Sequence, residues 1–179
     1  MQNFNPARAI LGGLMATIIM TALVYAGPVV GLARLDFAAL IGMLFSTVTP
    51  RMFSTRWWAG MTVHFINGAI IFPLFYAYVL FPILPGVNAL KGALWGAILW
   101  LISETLLLPV MGLGFFSTGA PQPLAWTIFN LAAHLVYGSV LGAVAGEQRS
   151  PLPGTERYMA QSRERVHEYL TRNKMQRKG

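Results

Sequence analysis

The sequence predicts an all-α polytopic membrane protein with four transmembrane helices, a short interfacial helix and a basic cytoplasmic tail helix. Three observations predict it. Of the 179 residues, 55% are hydrophobic and only 11% charged, with a mean hydropathy of +0.56, where a soluble domain carries about 25% charged residues. The charge is also uneven, because 8 of the 13 Lys+Arg and 4 of the 6 Asp+Glu follow Gly146. Finally, four apolar stretches each approach or exceed the ~20 residues that a helix needs to cross ~30 Å of hydrocarbon. Backbone groups in lipid must be satisfied within their own segment, so these stretches are helices and not strands.

Taken in order, the first span covers about Ala9 to Leu32, with Thr17, Thr21 and Tyr25 as its only polar side chains. It is too long for the apolar core of a signal peptide and lacks a clear cleavage site, so it reads as a span. The apolar run Phe37 to Val48 is too short to cross. Asp36 suits its N-cap and Pro50 its stop, which predicts a short helix at the interface. The second span covers about Trp57 to Leu80, followed by a turn at Pro85-Gly86. The third runs from about Gly92 to Phe115, then an uncharged loop to Pro123, and the fourth from about Leu124 to Ala145. Trp57, Trp58 and Trp126 read as interfacial anchors. Residues 1–146 thus form a transmembrane domain. Residues 147–179 form a basic tail, with a break at Ser150–Gly154, a cap at Thr155 and a thin apolar stripe of Met159, Val166 and Leu170.

Charge sets the predicted orientation. The N-terminus, second loop and tail together hold ten Lys and Arg, whereas the other side holds Arg34, Arg51 and Arg56. This bias places both termini in the cytoplasm of a bacterial inner membrane. The basic excess comes from sparse charges plus a tail, which argues against nucleic acid as a partner despite a pI near 10.3. The tail instead suits contact with anionic lipid or a partner subunit. With no cysteine, disulfides, thiolate metal sites and a cysteine nucleophile are excluded.

An internal repeat is visible. Pro28-Val29-Val30-Gly31-Leu32 matches Pro109-Val110-Met111-Gly112-Leu113, and His64 with Gly68 matches His134 with Gly138. This suggests two parallel copies of a two-helix hairpin, one of them enlarged by the short helix.

Small residues mark packing faces. Gly138, Gly142 and Gly146 recur every fourth residue, and the same face continues back to His134. Gly60, His64 and Gly68 repeat the arrangement in the second span; Gly92 and Gly96 lead to Trp100 and Glu104 in the third. Such faces let helices approach closely. They also predict that His64, Glu104 and His134 meet at one level, roughly 10–16 Å from the outer ends of their spans. An ionisable side chain at membrane depth is costly and marks a functional site by default. Several chemistries fit the three: neutral hydrogen-bonding groups that hold the bundle, a proton or cation path, a zinc or iron site, a bis-histidine haem, or a pocket for a quinone or lipid head group. Close glycine packing on the same faces argues against haem.

The words HFINGAIIFPLFYAYV, KGALWGAILWLISETLLLPVMG and HLVYGSVLGAVAG resemble small bacterial four-span proteins of unknown function, over about residues 10 to 146. The resemblance implies a fold and supplies no catalytic residues. No nucleophile-base set, phosphate-binding loop or dinucleotide fingerprint is present, which predicts a protein that is not an enzyme. The function expected from the sequence is that of an accessory subunit packing through its glycine faces against a larger membrane assembly, respiratory or photosynthetic. The alternative is a small transporter or a cofactor-, metal- or quinone-binding protein using His64, Glu104 and His134.

Overall fold

Each helix starts and stops where local chemistry tells it to. The structure, a computed structural model, describes residues 5–45, 48–146 and 155–176. The chain divides into two units, Met1–Gly146 and Glu147–Gly179, and among the described residues every regular element is helical.

Helix α1 runs Pro6–Ala26 and tightens into a 3-10 turn at Gly27–Val30. Asn5 caps it through the N–H groups of Ala7 and Arg8, and Pro6 fills the first turn, where its missing N–H costs nothing. Helix α2 is Phe37–Gly42, capped by Asp36, and continues as a 3-10 turn over Met43–Phe45. Helix α3 spans Thr55–Leu80, α4 spans Asn88–Val110, and α5 spans Pro123–Ala145. Together with Pro6–Val30 these are four helices long and apolar enough to cross a membrane. Helix α6, Thr155–Gln176, lies in the second unit and exposes Met159 and Val166. Thr155, anticipated as its cap, is the first helical residue; the anticipated break at 150–154 lies outside the described residues.

The third span ends earlier than the sequence suggested. It stops at Val110 rather than Phe115, because Gly112 takes a left-handed conformation (φ 84°) that closes the helix. Gly31 does the same after α1 (φ 85°). The hydrogen bonds match as well: Leu32 N–H reaches the Gly27 carbonyl and Gly31 N–H that of Pro28, while Leu113 N–H reaches Leu108 and Gly112 N–H reaches Pro109. The two repeated words are therefore the same Schellman cap, built twice. Gln122 joins the α1 cap to the start of α5, accepting from Ala33 N–H (2.8 Å) and donating to the Gly31 carbonyl (3.3 Å).

Glycines set the closest approach, between α4 and α5. A methyl group on Gly92 would overlap the Gly138 carbonyl oxygen, one on Gly138 would overlap that of Gly92, and one on Gly96 would overlap that of His134. Gly142 meets the Asn88 carbonyl and Gly146 the Asn88 side chain. The faces anticipated for association with other subunits are thus spent inside the chain. Gly60 and Gly68, anticipated on one stripe, part company: Gly60 meets Ala38 of α2, and Gly68 meets Thr17 of α1.

Beyond this stripe, α3 is not a uniform α-helix. It carries π turns at Asn67–Ile71 and Tyr76–Leu80, and α4 carries one at Ser103–Leu107. A π turn adds a residue and rotates everything beyond it, so a four-residue stripe cannot persist. Two of these turns end alike. Phe72 N–H bonds back to Asn67 with Pro73 next, and Leu108 N–H bonds back to Ser103 with Pro109 next.

Candidate functional site

Pro73 has no N–H, so in the π register it leaves the Gly68 carbonyl without a helical donor. The Tyr137 hydroxyl of α5 supplies one, at 2.7 Å. Opposite, a methyl group on Gly13 of α1 would overlap the Pro73 ring, so α1 lies directly on this turn. The irregular middle of α3 is thereby clamped from both sides.

Beside that turn lies a partly open cavity of about 190 Å³, lined by residues of all four long helices and of α2. Its walls are mainly apolar, with Met20, Val24, Phe37, Ile41, Phe72 and Leu99 among them. Polar groups converge on it: Thr21 from α1, His64 and Asn67 from α3, Ser103 from α4, and Asn130, His134 and Tyr137 from α5. Asn67 and Ser103, each the first residue of a π turn, both face this space.

His64 and His134 are brought to the same cavity, as their placement in the sequence suggested. His64 Nε2 lies 3.1 Å from the Thr21 hydroxyl, and its ring packs on Phe37 with centroids 4.5 Å apart. His134 Nδ1 lies 2.9 Å from the carbonyl oxygen of Asn130, one turn earlier on its own helix. A carbonyl only accepts, so Nδ1 carries the proton.

Glu104 is placed differently from the expectation. Because α4 stops at Val110, Glu104 lies only about 9 Å from its outer end rather than about 16 Å. It sits behind the cavity wall at 0% exposure. Asn130 Nδ2 donates to Oε1 (2.7 Å) and the Ser117 hydroxyl to Oε2 (3.1 Å). Its partners are therefore an amide and a hydroxyl and not a histidine. Asn130 joins the two halves of the site, taking His134 with its carbonyl and serving Glu104 with its side chain.

These positions bear on the cofactor alternatives. Among the described residues no three His, Asp or Glu side chains gather as a set that could hold a metal ion. The cavity, at about 190 Å³, is a little larger than the ~150 Å³ that accommodates benzene.

Short helix α2 covers part of the site, contributing Phe37, Leu40 and Ile41 to its lining. Asp36 secures it. Beyond capping α2 through Ala39 N–H (3.1 Å), its carboxylate accepts from the Tyr25 hydroxyl (2.8 Å) and from Trp57 Nε1 (2.8 Å to each oxygen). Trp57 is consequently 4% exposed rather than an interfacial anchor, and Trp126 is likewise buried, at 3%, as a lining residue of the cavity. Trp58 stays exposed.

The sequence reading missed Asn67 and Ser103 as lining residues, along with Gly13 and the π turns. A signal existed in N-G-A-I-I-F-P and S-E-T-L-L-L-P, where a polar residue stands six positions before a proline inside an apolar span. No curated protein and no solved structure matches the chain. Residues 4–151 match the family described as "Family of unknown function (DUF6789)", and with that match covering most of its length the chain belongs to this family.

Proposed function

We propose that this chain is a multi-pass membrane protein that binds a small, largely apolar molecule between its helices, with His64, Asn67 and His134 orienting it. One observation carries the reading: histidines from two different spans line a single cavity whose other walls are mainly apolar. Ligand sites have this make-up, an apolar pocket with a few convergent polar groups. The flanking π turns add support, since such turns concentrate at functional sites. Thr21 and Asn130 hold the imidazoles in place, and Glu104 with Ser117 fixes Asn130 in turn. This is a positioning network, and a non-catalytic role suits it.

The test is to purify the protein from native membranes in mild detergent and analyse it by native mass spectrometry with small-molecule extraction. A stoichiometric small molecule is expected. Its absence, together with no thermal stabilisation by any member of a library of apolar compounds, would refute the reading.

The accessory-subunit role that the sequence suggested rested on glycine faces, and these are occupied by neighbouring helices of the same chain. A partner subunit would have to engage other surfaces. Consistent co-purification of a second membrane protein would favour that role over ligand binding. For placement, the ten Lys and Arg flanking one side against three on the other support a bacterial inner membrane with both termini cytoplasmic. The basic α6 would then face anionic lipid.

A further inference from the structure

Resting on the ligand-binding role just proposed, we infer that the cavity takes a single six-membered aromatic ring bearing a hydroxyl group, whose O–H is donated to His134 Nε2.

The size argument comes first. An apolar cavity of ~150 Å³ holds benzene, so about 190 Å³ seats one ring with a small substituent inside the walls. The walls favour an aromatic guest over an alkyl chain. Phe37, Phe72 and Trp126 line the cavity beside the two imidazoles, a ring-rich wall that suits edge-to-face contact with an aromatic guest.

The polar argument selects the hydroxyl. His134 Nδ1 donates to the Asn130 carbonyl. In the neutral imidazole Nε2 is then a lone-pair acceptor on the far side of the ring. No donor among the described residues bonds it. An acceptor that no protein donor bonds is free to pair with a guest that brings a donor, a net gain of about 0.5–1.5 kcal/mol for such a bond. A carbonyl or ether oxygen would set lone pair against lone pair. Asn67 adds a second contact: its carboxamide lines the same space without a partner and can donate to the hydroxyl oxygen.

Three probes of nearly equal shape test this on the full chain in lipid nanodiscs: 4-methylphenol, 4-methylanisole and p-xylene, titrated by calorimetry. Saturable one-to-one heat separates binding from partition into lipid. The expected result is that 4-methylphenol binds at least about 10-fold more tightly than the other two. In His134→Phe, which keeps a ring but removes the acceptor, the advantage is expected to fall to within about 2-fold. In parallel, nitrogen NMR of the wild-type protein should show the His134 Nε2 resonance move with 4-methylphenol and not with p-xylene, a readout that does not depend on a variant folding. Equal binding of all three probes would overturn the hydroxyl preference while leaving the ligand-binding role standing. A preference retained in His134→Phe, or an unmoved Nε2 resonance, would overturn the role of His134. No saturable binding by any probe would overturn the inference, and a stoichiometric co-purified molecule of another chemistry would then show the ligand-binding role standing without it.

Discussion

Removing the Tyr137 hydroxyl should cost more than the loss of one ordinary hydrogen bond within a membrane bundle. Such bonds average about 0.6 kcal/mol and reach about 1.7. The acceptor here, the Gly68 carbonyl 2.7 Å away, is special because Pro73 cannot donate to it. Tyr137→Phe therefore leaves a buried carbonyl with no donor, a cost of about 1–3 kcal/mol. We take about 1.5 kcal/mol, roughly a tenfold change in the folding equilibrium. Pro73→Ala restores an N–H that can reach the same oxygen across the π turn. In that background Tyr137→Phe should cost only about 0.5 kcal/mol, giving a coupling near 1 kcal/mol. Pro73 also packs on Gly13, so Pro73→Ala has its own cost, which cancels in the cycle. Reversible unfolding in mixed micelles, followed by circular dichroism, measures all four corners. If Tyr137→Phe costs the same in both backgrounds, the account of the freed carbonyl is wrong.

Other perturbations have equally definite outcomes. Gly31→Ala and Gly112→Ala should each destabilise by about 1 kcal/mol, and by similar amounts, because both residues have left-handed φ and open space around them; unequal costs in the same unfolding assay would break the equivalence of the two caps. Gly138→Ala should cost more than either, since the added methyl meets the Gly92 carbonyl, and a thermal midpoint no lower than that of Gly31→Ala would contradict the contact. Glu104→Gln should be nearly neutral, as Gln still accepts from Asn130 and can donate to Ser117, whereas Glu104→Ala should lose about 1–3 kcal/mol by leaving Asn130 and Ser117 without their acceptor; similar melting curves for the two variants would refute the network. Asp36→Ala removes the acceptor for Tyr25, Trp57 and Ala39, so quenching of Trp57 by a water-soluble quencher should rise, with Trp58→Phe as the background.

How much of this the sequence revealed depends on the range of each signal. The four spans were legible because length and apolarity are summed over some twenty residues. The cap at Asp36 and the repeated words ending in Gly31-Leu32 and Gly112-Leu113 are local chemistry, and the structure realises both. The Gly92, Gly138 and Gly142 face also survives, since α5 keeps a regular α period throughout. What failed was the extrapolation of that period along α3. Gly60 and Gly68 meet different helices, α2 and α1, while His64 keeps a place beside Gly68 on the cavity wall, and only beyond Asn67 does the π register end the stripe. The depth of Glu104 was misjudged for a related reason: an apolar run counted to Phe115 conceals a helix that ends at Val110. Trp57 could be placed only by knowing that Asp36, twenty-one residues away, turns toward it.

The proline-terminated π turns leave a further mark on how the chain could vary. Each holds one residue more than the α-helical turn it replaces, so it is a local surplus that a single-codon deletion removes. Excising one residue from 67–71 would let the turn close as ordinary α, keeping the segment bearing His64 near its present facing while shortening the span by at most about 1.5 Å. The helix would still reach across hydrocarbon and the hydropathy profile would barely change. What the deletion takes away is the surplus turn itself, which begins at the lining residue Asn67 and holds the carbonyl that Tyr137 bonds, so the wall beside His64 can be rebuilt by a length difference too small for the bilayer to select against.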